Sequence, residues 1–342
     1  MPLFGLSVYK NIIFLFIIFL VKAEVQPNYE EIVQRPDGYT RDGRWPIWKL
    51  YKAASRLEKE FGWNKKTVFT QVAETPQGLF SLPIDIYMTP HAGPAFWVIA
   101  GVHGEEVAGS IAVAKGVEEI ASLGKKIPMV VAPLGNPFGY FRDFRYPNEK
   151  RDKEKGQSVG DAEHLLPDLS STVLAPRQPL ISKISREACA LTKEFASLLV
   201  CYPPVILMDH HGDEHQEAPY IYSQGQLGEE DPVAQDVIRI LKQFGIPING
   251  DSETEFHQQI INGIVSDKFD GSLEELIGGA GERIINGRRV TSQPCFTVIV
   301  VETPTLLVSL EAQIAAHLAI VRSYPKYWQW VLEKIRLSSN RL

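Results

Sequence analysis

Four apolar runs of this sequence each end in polar residues that are suited to bind or assist a metal ion. The runs are 95–102, 129–134, 205–208 and 295–301, and they lead into His103-Gly-Glu-Glu106, Gly135-Asn136-Pro137, Asp209-His210-His211 and Glu302-Thr303-Pro304. Short, nearly continuous apolar runs are typical of strands buried on both faces of a parallel sheet. Ligands bind just beyond the carboxyl ends of such strands. We therefore predict that these polar residues meet at one edge of one sheet.

His103 and Glu106 are three residues apart, where a predicted strand gives way to a predicted helix. An imidazole nitrogen and a carboxylate oxygen are an ordinary pair of zinc ligands, and Gly104 between them allows a tight turn. A simpler interpretation makes Glu106 a favourable acid at a helix N-terminus and His103 a buried, hydrogen-bonded histidine.

The second histidine motif favours the metal interpretation. Side chains alternate across a strand, so only one of His210 and His211 should face the site. His211 is the better third ligand, and Asp209 then lies on the same side, where it could orient a ligand. His210 is expected to pack elsewhere.

Two histidines and one carboxylate leave a fourth zinc position open for water, which is typical of a catalytic site. Such a site needs a nearby base, and Glu302 fits that role because a carboxylate can take a proton from water and pass it to a leaving amine. The alternative for Glu302 is an acid that caps a turn before Pro304.

The remaining pattern predicts one α/β domain over 45–342, after an extended lead-in at 24–44. Helices are expected at 48–61, 107–124, 180–200, 231–244, 309–323 and 326–337, and two early strands at 67–72 and 80–87. A strand, a helix and a strand over 95–134 should form a parallel crossover unit. Residues 140–180 and 246–294 look irregular, and the first of these segments could be functional, for example as a lid.

The set of motifs, in this order, resembles the zinc carboxypeptidase superfamily, which includes the succinylglutamate desuccinylase and aspartoacylase deacylases. The resemblance covers roughly residues 90 to 310 and includes Arg145-Tyr146. It implies a three-layer α/β/α sandwich with a mixed, largely parallel central sheet. It also implies one zinc ion per chain, held by His103, Glu106 and His211.

By the same resemblance, Glu302 would be the general base and Arg145 would stabilise the oxyanion, with Asn136 and Arg142 as substrate-binding residues. Arg142 is also the rival of Arg145 for the oxyanion role. Cationic donors aimed at developing negative charge are among the largest catalytic contributions.

One feature of the family is missing. Its members often carry an Asn-Arg pair that grips the substrate carboxylate soon after this arginine, whereas the pair occurs here only at Asn340-Arg341. A guanidinium or ammonium group nearby could replace it; the candidates are Arg151, Lys155 and Arg177. Asp161, Glu163 and His164 could line the cleft.

The N-terminal segment indicates export. Lys10 precedes an uncharged apolar run at 12–21, which is followed by Lys22-Ala23. This arrangement is typical of a secretory signal peptide cut near residue 23, and it is short for a membrane span. An uncleaved anchor is the alternative. We therefore expect a secreted or periplasmic protein with no stable membrane span after signal removal.

The composition and net charge argue against some classes of protein. The chain has 342 residues and a net charge of −6 with no long basic block, which makes nucleic acid an improbable partner. Three cysteines allow at most one internal disulfide, between Cys189 and Cys201 for example, with Cys295 as a buried thiol.

Three functions are consistent with this sequence. The first is a carboxypeptidase-like metallopeptidase that acts on peptides by metal-activated water. The second is a zinc-dependent deacylase of N-acyl amino acids, and the third is a zinc- or ligand-binding protein without catalytic activity. Glu302 argues against the third, because loss of the base is the easiest route to an inactive protein.

Overall fold

The fold was derived from a computed structural model that describes residues 37–146, 186–213, 219–254, 257–266, 273–279, 281–285, 288–292 and 294–339. The helices are α1 (Ile47–Lys59), α2 (Val107–Lys115), α3 (Val117–Gly124), α4 (Pro137–Arg142), α5 (Arg186–Leu198), α6 (Pro232–Gln243), α7 (Leu273–Gly278), α8 (Leu310–Arg322) and α9 (Tyr324–Ser339). The strands are β1 (Asn64–Thr75), β2 (Gly78–Met88), β3 (Ala95–Ala100), β4 (Met129–Ala132), β5 (Pro204–His210), β6 (Ile221–Ser223), β7 (Ser252–Glu253), β8 (Gln259–Ile261), β9 (Ile264–Val265), β10 (Gly281–Ile285), β11 (Arg288–Ser292) and β12 (Thr297–Val301).

A mixed sheet runs through the protein. Within the described ranges its strand order is β1-β2-β4-β3-β5-β12-β6-β9-β8-β7, and β10 and β11 form a separate hairpin. The four central strands β4, β3, β5 and β12 are parallel to their neighbours within that group. Their carboxyl ends therefore lie at the same edge, as the four apolar runs predict.

Helices cover both faces of the sheet and bury a separate apolar core on each. On one face, Val98, Met208 and Ile299 pack with residues of α2, α3, α6, α8 and α9. On the other face, Trp97, Leu207 and Val298 pack with residues of α5 and α7. This is the predicted three-layer α/β/α sandwich with a mixed sheet. The expectation that the sheet is largely parallel is wrong, because four of the nine pairings between its described strands are parallel and five are antiparallel.

The predicted helix at 107–124 is two helices. Chain direction changes at Gly116, which ends α2 and precedes α3. A Cβ atom at this position would lie 2.5 Å from Cγ1 of Val321 on α8. The close approach of a neighbouring helix explains the glycine, and sequence periodicity alone does not reveal it.

Strand β5 is longer than the predicted apolar run. It continues through Asp209 and His210, and His210 pairs with Ala100 of β3 and Val301 of β12. Both residues are polar but at most 1 % exposed. Ladder pairing on both sides therefore extends the strand beyond its apolar residues and carries it into the cluster of polar side chains.

The segment 246–294 was predicted to be irregular, and that prediction is wrong in part. It contains the short strands β7–β11 and the six-residue helix α7. The two closing helices meet at Ser323 rather than at Pro325, because Pro325 is accommodated in the first turn of α9.

Several predictions concern residues outside the described ranges. The signal peptide at 1–23, most of the lead-in and most of the segment 140–180 belong to this group, so the domain limits stay predictions. None of the described helices is long and apolar enough to span a membrane. Cys295 is buried as predicted, and Cys201 is an exposed free thiol.

Candidate metal centre

His103, Glu106 and His211 converge at the carboxyl edge of the central strands. One ligand atom from each lies within 4.8 Å of the others, and all three residues are at most 4 % exposed. The Glu106 carboxylate bridges the two histidines, with Oε1 2.9 Å from Nδ1 of His103 and Oε2 3.0 Å from Nδ1 of His211. The two Nδ1 atoms are 3.3 Å apart. The three predicted ligands therefore share one small buried volume.

Close backbone packing explains the motif His103-Gly-Glu-Glu106. A Cβ atom on Gly104 would lie 2.1 Å from the carbonyl carbon of Gly139, so only glycine fits between the two chain segments. The turn was predicted from glycine's conformational freedom, but the constraint is this close approach. Glu106 then precedes the first turn of α2, and the Gly212 amide donates a 3.0 Å hydrogen bond to its Oε2.

Strand alternation separates the two consecutive histidines, as predicted. Asp209 and His211 share one side, where Oδ1 of Asp209 lies 3.3 Å from Nε2 of His211. His210 faces the opposite core, where its Nδ1 lies 2.8 Å from Nδ1 of His317 and its Nε2 lies 2.6 Å from the hydroxyl of Tyr324. His317 in turn reaches the hydroxyl of Thr303, at 3.2 Å from Nε2.

The pKa shifts of the buried residues differ between the two faces of strand β5. Burial alone would raise the pKa of Glu106, but the charges and hydrogen bonds of His103 and His211 outweigh it and hold that pKa well below its usual value. Burial would lower the pKa of His211, yet Asp209, Glu106 and Glu274 raise it well above the usual value. On the other side, burial and then the charge of His211 lower the pKa of His210 to about 3.

The donor set suits a zinc ion. Two imidazole nitrogens and one carboxylate oxygen are the protein ligands found in many catalytic zinc sites. Ligand atoms of a tetrahedral site with bonds of about 2.0–2.1 Å are roughly 3.3–3.4 Å apart. The two Nδ1 atoms are 3.3 Å apart, and each lies 2.9 or 3.0 Å from one of the two oxygens of Glu106, so these distances come close to that spacing.

Arg145 lies beside the three candidate ligands. Its Nη1 is 2.7 Å from Oε1 of Glu106 and 3.2 Å from Oε1 of Glu105, and its side chain is 35 % exposed. The partly exposed guanidinium therefore contacts two buried acids, and its predicted contact with a substrate oxygen stays a prediction.

Asn136 supports the backbone that carries Arg145. Its Oδ1 accepts a 2.9 Å hydrogen bond from the Gly139 amide and so caps α4, and its Nδ2 donates a 3.0 Å hydrogen bond to the carbonyl oxygen of Arg145. The residue is 2 % exposed. These contacts give Asn136 a positioning role, while direct binding of substrate stays a prediction.

Arg142 points toward different partners. Its guanidinium donates a hydrogen bond to the carbonyl of Glu74 at the end of β1 and lies over the rings of Phe138 and Phe141. Among the described contacts, those with the candidate ligands are made by Arg145. Of the two arginines, Arg145 is the one whose described contacts include a candidate metal ligand, and the oxyanion role stays a prediction for both.

Glu302 follows β12 directly. The register pairs Val301 with His210, so Glu302 lies opposite His211 as the pairing continues. The His211 amide donates a 2.9 Å hydrogen bond to the carbonyl of Val301, and the Asp213 amide donates a 2.8 Å hydrogen bond to that of Thr303. Glu302 is half-buried at this edge, and its role as a base stays a prediction.

Two acidic residues of the site were not predicted. Glu105 contacts Arg145, and burial followed by the charge of Glu106 raises its pKa. Glu274 of α7 is 5 % exposed, and its Oε1 lies 3.7 Å from Nε2 of His211. Burial and the neighbouring Asp209 raise the pKa of Glu274 to about 7. Glu105 could have been predicted as a site residue because it lies inside the motif His103-Gly-Glu-Glu106. No local sequence pattern predicts that Glu274 belongs to the site.

The other predicted cleft residues lie outside the described ranges, so their roles stay predictions. They are Arg151, Lys155, Asp161, Glu163, His164 and Arg177.

Comparison with solved structures identifies the fold. A proposed metallopeptidase from Shewanella amazonensis has a TM-score of 0.58 at 20 % identity, over 81 % of this chain and 91 % of that chain. A proposed metallopeptidase from Shewanella baltica has a TM-score of 0.59 at 19 % identity, over 85 % and 98 %. Bovine thrombin-activatable fibrinolysis inhibitor, solved in complex with tick carboxypeptidase inhibitor, has a TM-score of 0.53 at 12 % identity, over 86 % and 99 %.

These likenesses confirm the predicted zinc carboxypeptidase fold. No protein-family model matches the sequence, and no curated protein resembles it significantly. At identities of 20 % or lower the likeness defines the architecture, and the chemistry must be argued from the site itself.

Proposed function

We propose that this protein is a zinc-dependent hydrolase that cleaves an amide bond, and that it acts on peptides as a carboxypeptidase-like metallopeptidase. The observation that carries the proposal is the convergence of His103, Glu106 and His211 within 4.8 Å. Glu302 and Arg145 border the same edge of the sheet.

His103, Glu106 and His211 would hold one zinc ion per chain. When bound, such an ion polarises a carbonyl group and lowers the pKa of water. The surrounding burial serves this role, because electrostatic interactions are stronger where water is excluded.

The residues of the chain divide the remaining work. Glu302 accepts a proton from the attacking water as the C–O bond forms, and then donates that proton to the nitrogen of the leaving amine as the C–N bond breaks. Arg145 donates hydrogen bonds to the carbonyl oxygen of the substrate as negative charge develops there. Asn136 and Glu105 hold Arg145 at the mouth of the site through its backbone and its guanidinium.

A deacylase of N-acyl amino acids is the second candidate. The observation that favours it is the position of Arg145-Tyr146, which begins nine residues after Asn136, as the resemblance to the deacylases implies. The two candidates share the same metal ligands and the same base, and they differ in the pocket beyond Arg145.

We further propose a secreted or periplasmic location, on the basis of the apolar run at 12–21 after Lys10. Extracytoplasmic peptides, including cell-wall peptides, would then be accessible substrates.

The proposal is tested with the purified full chain. Blocked dipeptides and longer peptides with a free carboxyl terminus, the same peptides with an amidated terminus, and N-acyl amino acids are incubated with enzyme, with and without a chelator. We expect cleavage that a chelator abolishes and added zinc restores. Preference for the free-carboxyl peptides supports the carboxypeptidase, activity on N-acyl amino acids alone supports the deacylase, and no zinc-dependent cleavage of any substrate contradicts both.

A further inference from the structure

Glu274 is an acidic residue placed inside an apolar layer. Its helix α7 packs against the sheet through Leu273, Leu276 and Ile277, each at most 1 % exposed, and Glu274 itself is only 5 % exposed. Burying a carboxyl group among apolar side chains is unfavourable unless polar partners compensate for it. The identity of its partners is therefore informative.

Those partners belong to the candidate metal site. Oε1 of Glu274 lies 3.7 Å from Nε2 of His211, and one oxygen of its carboxyl group lies within 4.8 Å of an oxygen of Asp209. Asp209 approaches the same nitrogen at 3.3 Å. These three side chains form a compact group, with one polar atom of each within 4.8 Å of the others.

The two nitrogens of the His211 ring therefore face different groups. Nδ1 faces His103 and Glu106, at 3.3 Å and 3.0 Å, whereas Nε2 faces Asp209 and Glu274. A carboxylate at the second nitrogen fixes the ring's tautomer and orientation and makes it a stronger metal ligand. Asp209 lies two residues before His211 in the chain, so the backbone sets its position relative to that histidine. Glu274 comes from a separate helix, α7.

We propose that Glu274 is a positioning residue that, together with Asp209, locks the His211 ring between strand β5 and helix α7 with Nδ1 directed at the metal. This inference rests on the zinc site of the proposed function. Its consequence is that α7, which contributes no metal ligand, contributes to metal affinity.

The test measures zinc affinity of the metal-free full chain by competition with a chromophoric chelator. Glu274→Leu suits the apolar surroundings and removes both oxygens, and Glu274→Gln keeps the size but removes the charge. We expect Glu274→Leu to weaken zinc binding by about 10- to 100-fold, with Glu274→Gln between it and the wild type. Asp85→Asn is the matched control, because Asp85 is a buried acid whose partners, Thr67 and Lys65, lie on β1.

A second measurement separates positioning from folding. Thermal unfolding of each metal-free variant should show a midpoint no lower than that of the wild type, because the change replaces a buried carboxyl group with an apolar or neutral one. The rise of the midpoint on adding zinc should be smaller in both Glu274 variants than in the wild type and the Asp85 control.

The outcomes are distinct. If the wild type binds zinc and both Glu274 variants bind it equally well, the inference is wrong and the proposed function stands. Two zinc ions per wild-type chain and one in the variants would also overturn it, since Glu274 would then be a ligand of a second ion. If the wild type binds no zinc, the proposed function fails and the inference fails with it.

Discussion

His210 and His211 are neighbours in the chain and are both nearly inaccessible to solvent, yet their surroundings are opposite in charge. His211 is enclosed by the carboxylates of Glu106, Asp209 and Glu274, which raise its pKa well above the usual value. Among the described residues, His210 bonds the neutral partners His317 and Tyr324, and burial followed by the charge of His211 lowers its pKa to about 3. The difference arises because successive side chains of a strand enter different layers of the sandwich.

Burial alone does not identify a metal ligand. Two consecutive buried histidines are alike in residue type and in exposure. What distinguishes them is that carboxylates surround one and hydrogen-bonding neutral groups surround the other.

The sharpest separation should come from replacing each histidine in turn. His211→Gln should reduce zinc-dependent hydrolysis to the background rate, since it removes one of three candidate ligands. His210→Gln should retain activity within about tenfold, equivalent to about 1.4 kcal/mol. Steady-state rates on the best substrate check this expectation. Equal losses of activity in the two variants would contradict the different roles of the two faces of β5.

The two residues after β12 offer a similar contrast. Glu302→Gln should lower turnover by about 10²- to 10⁴-fold because it removes the proposed base, while zinc content stays unchanged. Its neighbour Thr303 bonds His317 on the other side, so Thr303→Val should have a much smaller effect on turnover. The measurement is kcat together with metal content. Full activity of Glu302→Gln would refute the proposed mechanism.

The two arginines of the Arg145 segment can be separated in the same way. Arg145→Gln should lower kcat by about 10²- to 10³-fold if it stabilises the oxyanion. Arg142→Gln should change kcat little, because its guanidinium contacts Glu74 and two aromatic rings. Kinetics of both variants under saturating substrate check the assignment, and the opposite order of effects would transfer the role to Arg142.

The smallest effect concerns acid stability. His210 and His317 have pKa values below their usual value when folded, because burial disfavours the charged form. The unfolded chain therefore binds more protons, and stability falls as the pH drops from about 6.5 toward about 3. Each histidine contributes up to about 1.4 kcal/mol per pH unit.

Chemical denaturation with a chelator present, at pH 7 and pH 5.5, measures this loss. His317→Gln should show a smaller loss than the wild type over this interval. An equal or larger loss in the variant would contradict the neutral, buried state of His317.

Much of the site was accessible from the sequence because local patterns encode it. The apolar runs before His103, Asn136, Asp209 and Glu302 predict strands, and parallel strands place their ends together. Alternation then separates His210 from His211. Each of these inferences needs only neighbouring residues and the regular geometry of a sheet.

The rest depends on long-range packing. Glu274 lies in a glycine-containing segment and on a helix of six residues, which is too short to show a periodic pattern. The positioning role of Asn136 depends on a contact with the carbonyl of Arg145, nine residues away. The need for glycine at position 116 results from the approach of Val321, more than 200 residues later. No local pattern of residues encodes these contacts.

The most direct test of the zinc site is anomalous diffraction at the zinc edge from crystals of the full chain grown with zinc. We expect one peak within about 2.0–2.2 Å of Nδ1 of His103, Nδ1 of His211 and a carboxylate oxygen of Glu106, and no peak between His210 and His317. A peak at the His210–His317 pair, or none near His103 and His211, would contradict the account.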